Sequence, residues 1–182
     1  NLLGGAPVDT VGMAMGAYSG PGVTDNGNFT YDFDPMAAGV GVHTITYTFT
    51  DGNGCSASAS DDVEVFALPM VSFTALADLC IDASVQTNVS GGLPTPGTAT
   101  GDLGVYAGPG VTDNGDGTYD FDPQMAGIGV HTITYTYTDG NGCSASASDD
   151  VEVYALPTVS FTALADLCID AGVQMSLSGG LP

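Results

Sequence analysis

The sequence contains no lysine, no arginine and no tryptophan, so its 21 acidic side chains face only two histidines and the formal net charge is −21. Phosphate recognition draws its affinity from Lys and Arg, and a surface of this sign repels polyanions. Nucleic acid is therefore excluded as a partner. The same lack removes Schiff-base and pyridoxal chemistry and any Lys–Asn isopeptide bond, which leaves cysteine as the one covalent staple. Glutamate is almost missing as well: apart from Glu64 and Glu152, every acid is Asp. No apolar run approaches the ~20 residues of a membrane span, and no charged-then-apolar leader opens the chain, so no membrane insertion is expected.

What is present favours a folded chain. Apolar residues make up 43% and charged residues 12%, enough for a packed core and too little charge for disorder. With 27 Gly and 10 Pro for turns, and Thr, Val and Tyr for strands, the composition points to an all-β class.

An internal repeat sets the architecture. At an offset of 88, GPGVTDNG at 20 falls on the same string at 108, HTITYT at 43 on 131, DGNGCSASASDDVEV at 51 on 139, and GGLP at 91 on 179. From Gly20 to Pro94 the register never slips, and 63 of 75 aligned pairs are identical. That period is too long for a solenoid turn and suits a small β-sandwich, so tandem immunoglobulin-like β-sandwich domains are expected. The Ala-Leu-Pro at 67 to 69 and at 155 to 157 makes the best junction, because it follows a strand-like run and its proline cannot extend a ladder. The expected division is 1–68, a partial domain lacking its first strands; 69–156, a complete domain; and 157–182, the first strands of a further domain.

Within the complete domain the period of two is clear. Val71, Phe73 and Ala75 share a face, as do Tyr119 and Phe121; His131, Ile133, Tyr135 and Tyr137 oppose a threonine row at 132, 134, 136 and 138. DNGDG at 113 and DGNG at 139 read as hairpin ends. In the last strand the apolar phase of Ala145 and Ala147 would bury Asp149 before Val151 and Val153, a conflict that a bulge near Asp149 would resolve.

The cysteines are Cys55, Cys80, Cys143 and Cys168, with no CxxC or Cys/His spacing for a metal. In an oxidising, extracellular setting a disulfide is favoured. Cys80 with Cys143 would close a loop of about 64 residues and add ~4 kcal/mol by loop entropy, leaving Cys55 and Cys168 to neighbouring repeats. If the two turns that carry Cys80 and Cys143 lie at opposite poles of the sandwich, the cysteines are instead free or pair between neighbouring chains.

Ligand chemistry falls to aspartate. Asp113 with Asp116 in DNGDG, and the pairs Asp61 with Asp62 and Asp149 with Asp150 near the junctions, are candidate calcium ligands, since calcium takes several carboxylate and carbonyl oxygens and would stiffen a string of domains. The alternative is structural: DNGDGTY is an ordinary hairpin turn, and the first copy has Asn28 and Phe29 where the second has Asp116 and Gly117. His43 and His131 lie in the apolar phase of a strand with no nucleophile in a recognisable elbow, so they read as framework residues and no enzyme is expected. The sequons at Asn28 and Asn88 have no counterpart in the other copy.

The run from ADLCIDAG through GGLP, VYAGPGV, YDFDP and AGIGVHTITYTYTDGNGC to VEVY resembles the immunoglobulin-like tandem repeats of giant Bacteroidota cell-surface proteins, among them the flavobacterial gliding-motility adhesin and the appendage proteins of gliding or predatory species. The likeness spans the whole period. It implies type IX secretion, an extracellular cell-surface location, and a stalk or filament whose tip, outside this sequence, takes a cell-surface or prey-surface ligand. The partners so implied are other copies of the chain or repeat in a linear fibre. Two functions compete: a structural spacer of an adhesin or appendage, and a glycan- or surface-polymer-binding module acting by avidity.

Overall fold

The computed structural model describes residues 2, 5, 6, 15–161, 166–173, 180 and 181. The chain divides into two compact units, Asn1–Leu68 and Pro69–Pro182.

The first unit holds β1 (Met15–Ser19), β2 (Val23–Asp25), β3 (Tyr31–Phe33), α1 (Pro35–Ala38), β4 (Gly41–Thr50) and β5 (Ser56–Val65). Its main sheet has the order β1-β4-β5, and β2 pairs with β3 in a hairpin. The one-turn helix α1 starts because Asp34 caps it, accepting from the Met36 N–H at 2.9 Å, and because Pro35 supplies the fixed φ of a first helical position.

The second unit repeats this plan and adds to it. It holds β6 (Ser72–Phe73), β7 (Leu79–Cys80), β8 (Gln86–Val89), β9 (Gly92–Leu93), β10 (Leu103–Ala107), β11 (Val111–Asp113), β12 (Tyr119–Phe121), α2 (Pro123–Ala126), β13 (Gly129–Thr138) and β14 (Ser144–Tyr154), followed by β15 (Ser160–Phe161) paired with β16 (Gly180–Leu181). One sheet runs β10-β13-β14-β7; the other face is built by β11-β12-β8 and by β6 with β9. Between them lies the core: Phe73, Tyr106, Tyr119, Phe121, Ile133, Tyr135, Tyr137, Val151 and Val153. The expected all-β sandwich architecture is thus the observed one. Alternation supplies it, since Ile133, Tyr135 and Tyr137 of β13 point inward while the threonines between them point out.

Glycine supplies the close approaches. A Cβ on Gly92 would run into the body of the Tyr135 ring, and one on Gly104 into its hydroxyl end, so both positions need glycine. The ring stacks against Tyr106 with centroids 4.7 Å apart, and its hydroxyl donates to the Pro94 carbonyl at 2.6 Å.

The bulge expected near Asp149 is not there. From Gly129↔Val153 to Thr138↔Ser144 the β13–β14 register is unbroken, with Asp149 opposite Ile133. Asp149 keeps the inward phase and stays exposed, and its carboxylate accepts from the Ala75 N–H at 3.1 Å. A hydrogen-bond donor from the opening segment satisfies the charge that a bulge was expected to turn outward.

Candidate functional site

The segment from β6 to β7 sets the geometry of the second unit. It runs parallel to β14: Ala75 meets Asp149, the Glu152 N–H donates to Asp78 Oδ1 at 2.9 Å, Leu79 and Cys80 pair with Val153 and Tyr154, and the Ile81 N–H donates to the Tyr154 carbonyl at 2.9 Å. On its other side Ser72 and Phe73 pair with Leu93 and Gly92, and Phe73 drops into the core, 9% exposed. The segment therefore closes the sandwich from both sheets. It also fixes the chain's path, which starts near the β13–β14 hairpin and leaves β14 at the opposite pole.

That path corrects the cysteine pairing. Cys143 precedes the first residue of β14, whereas Cys80 pairs with Tyr154, the last. An eleven-residue strand lies between them, about 36 Å at the rise of an extended chain, and a disulfide needs Cα atoms within about 7 Å. No Cys80–Cys143 bond forms. Cys55, Cys80, Cys143 and Cys168 are all unpaired thiols, with Cys143 half-buried and the other three exposed.

The structure gives each candidate aspartate a local task. Asp113 Oδ1 accepts from the Tyr106 N–H at 3.1 Å, tying β10 to β11. Asp116 accepts from the Thr118 hydroxyl at 2.6 Å and the Thr118 N–H at 3.0 Å; these bonds, the hydroxyl's first, hold its carboxyl below the usual carboxylate range. Asp149 and Asp150 sit in the middle of β14, not at its ends; Asp150 accepts from Thr132 Oγ1 at 2.7 Å. Asp62 does the same with Thr44, and Asp61 accepts from the Asp62 N–H at 2.9 Å. Among the described residues no group of three or more His, Cys, Asp or Glu side chains lies close enough to hold a metal ion. The six carboxylates do not converge as the donor set of a calcium site would.

His131 and His43 each place Nε2 2.7 Å from the carbonyl of Gly127 or Gly39 at the end of the preceding helical turn. A carbonyl only accepts, so this nitrogen carries the proton and the ring anchors the turn. On the outer face of β13–β14 a ladder of hydroxyls bonds across the strands: Thr134 with Ser148 at 2.9 Å, Thr136 with Ser146 at 2.9 Å and Thr138 with Ser144 at 2.8 Å. The same ladder recurs on β4–β5 through Thr46 with Ser60 and Thr50 with Ser56.

The first unit carries a feature that single-residue reasoning missed. A groove of about 500 Å³ opens on the inner face of its main sheet, lined by Tyr18, Phe33, Ile45, Tyr47, Ala59 and Val63 among others. In the second unit the equivalent Phe121, Ile133, Tyr135 and Val151 are fully buried, whereas Phe33, Ile45, Tyr47 and Val63 are partly exposed. Among the described residues β5 pairs only with β4, whereas β14 lies between β13 and β7.

No protein-family model matches the chain, and no curated protein sequence does. Among solved structures it is similar to a protocadherin gammaB7 EC3-6 cis-dimer, with 18% identity, a TM-score of 0.30, and 78% of this chain covered against 41% of that one. It is also similar to the extracellular cadherin domains 1-4 of protocadherin gamma B7, with 13% identity, a TM-score of 0.32, and coverage of 85% and 45%. The chain spans less than half the length of either structure, and likeness at this level says nothing of function.

Proposed function

We propose that this chain is a stalk or filament segment of a very long extracellular adhesin or surface appendage, exported by type IX secretion and anchored to the cell surface, with recognition residing in a tip elsewhere. The observation that carries the reading is the path of the second unit, which takes the chain in near one pole and out at the other, so that near-identical repeats join in series. The resemblance of the repeat to Bacteroidota surface proteins supports the location. Calcium enters this reading only as a counter-ion for the acidic surface, because each candidate carboxylate already accepts from a protein donor.

A second reading has one observation in its favour, the threonine–serine ladder presented on the same outer face of both copies. In that reading each repeat binds a glycan or surface polymer and gains by avidity. A glycan array probed with the chain separates the two. Absence of binding supports the stalk; binding that is lost on replacing Thr134 and Thr136 by valine supports the module and overturns the stalk.

A further inference from the structure

We propose that the open half of the β14 edge, residues 144–148, pairs with the same stretch of a second copy of this chain, antiparallel about a two-fold axis through Ser146. The proposal deepens the stalk reading and rests on it, since it makes the neighbour of one stalk a second stalk lying beside it. Parity fixes which backbone groups are available. The Glu152 N–H donates to Asp78 Oδ1 at 2.9 Å and the Tyr154 carbonyl accepts from the Ile81 N–H at 2.9 Å, so the even-numbered residues of β14 turn their backbone groups away from β13. From Asp149 onward residues 75–81 cover that side, and the Asp150 N–H is taken by Asp149 Oδ1 at 3.0 Å. Among the described residues the backbone N–H and C=O groups of Ser144, Ser146 and Ser148 have no partner there. The opposite edge of the sheet is guarded at its centre, where the Tyr106 N–H of β10 is held by Asp113 at 3.1 Å.

The side chains of the open stretch suit a two-fold partner. Residues 144–148 read SASAS, the same in both directions. Antiparallel pairing therefore sets Ser144 opposite Ser148 of the second copy, Ser146 opposite Ser146, and Ala145 opposite Ala147. The serine pairs are then the hydrogen-bonded ones, each exchanging both backbone bonds, so every outward group of the stretch finds a partner. The serine hydroxyls are already engaged with Thr138, Thr136 and Thr134 of β13, which leaves only backbone to recruit. No bulky side chain stands in the way, since the serines alternate with two half-buried alanines.

Charge selects the same stretch. With no lysine or arginine, the 21 acids of one copy repel those of another, and residues 144–148 carry none of them. Asp149, the first acid on the strand, lies beyond the paired residues and about 20 Å from its counterpart in the second copy at the rise of an antiparallel strand, well past the ~8 Å screening length of physiological salt. A pairing of five residues falls far short of the roughly 1,200 Å² of a stable interface. One contact is therefore weak, and strength comes from repetition along the chain, where SASAS recurs at 56–60.

Amide NMR spectra of the 182-residue chain test this, with Ser58→Asp carried throughout so that only the stretch in the second unit can pair. From micromolar to millimolar protein at constant ionic strength, the amide protons of Ser144, Ser146 and Ser148 should move downfield and gain protection from exchange. Those of Ala145 and Ala147, which face β13, should move least. Adding Ser146→Asp or Ser146→Lys sets like charges directly opposite across the two-fold, and either should abolish the shifts. The thermal transition of the second unit should hold in both variants, because Ser146 is exposed. Mixing the Ser146→Asp and Ser146→Lys chains should restore the shifts, since each charge then faces its opposite. Spectra that do not change with concentration, shifts that survive both substitutions, or a mixture that restores nothing would each overturn the pairing. None of these results decides between the stalk and the glycan-binding module, which the glycan array separates.

Discussion

Ile133 and Ile45 occupy the same position of two near-identical repeats, and replacing each by alanine in separate variants turns the difference between the units into an internal control. Ile133 has no exposed surface and is enclosed by the core of the second unit. Its truncation loses the transfer energy of the removed carbons and leaves a cavity that a two-sheet core cannot collapse around, about 3 to 4 kcal/mol. Ile45 lines the open groove and is partly exposed, so water already reaches the space that truncation would enlarge. Only part of the transfer term is lost there, roughly 1 to 2 kcal/mol. The expected difference of about 2 kcal/mol is a factor of about 30 in the opening equilibrium. Native-state hydrogen exchange read by mass spectrometry resolves the two strands, because Phe49 in β4 and Tyr137 in β13 give their peptides different masses. Equal losses in β4 and β13 would refute the argument, since they would mean that the first unit is as closed as the second.

Three further outcomes follow from local chemistry. Burial pushes the Asp102 carboxyl up, but N–H donors from Gly97, Ala99 and Thr98 and the Tyr137 hydroxyl outweigh it and bring it from an ordinary 3.8 to about 2. The folded-state value lies below the unfolded one, so the stabilisation is complete above about pH 4 and is lost as pH falls through 2; Asp102→Asn should flatten the thermal midpoint of the second unit over that window. Alkylation without reduction should add four adducts to the intact mass, and two fewer would show a disulfide and refute the free thiols. Chelation by EDTA at constant ionic strength should leave both units folded with unchanged thermal midpoints, and a drop would show a structural metal.

Alternation made much of the fold legible in the sequence. HTITYTYT announces β13 because a strand buried on one face repeats every two residues, and DNGDG and DGNG announce the turns because positive φ at Gly115, Gly117 and Gly142 calls for glycine. The first copy even shows the cost of losing one, with Phe29 at φ 64 where Gly117 stands in the second. Asp149 was less legible, since inward phase alone does not tell burial, and the backbone donor that meets the carboxylate comes from a segment 74 residues away. The cysteines turned on the same missing information: the sequence left two alternatives, a Cys80–Cys143 bond or turns at opposite poles, and the structure has the second, with the thiols free. Which pole a residue occupies depends on whether the opening segment runs parallel or antiparallel to the last strand, and spacing carries no record of that direction. The start of the first copy also escaped the constant offset. Gly5 donates to the Tyr18 hydroxyl as Gly92 does to that of Tyr106, an offset of 87 where the rest of the repeat keeps 88, so one residue is lost across a stretch too divergent to align.

The parallel course of residues 75–81 along β14 has a mechanical consequence. A pull on the two ends of the second unit draws its opening segment and its last strand in opposite directions along their common axis. The Ala75–Asp149, Asp78–Glu152 and Ile81–Tyr154 bonds then lie across the load and share it, so they must rupture together, unlike a hairpin that peels open one bond at a time. Their collective failure sets a higher force than any one of them would bear. Such a unit resists tension along its strand axis and yields far more readily to forces applied across it.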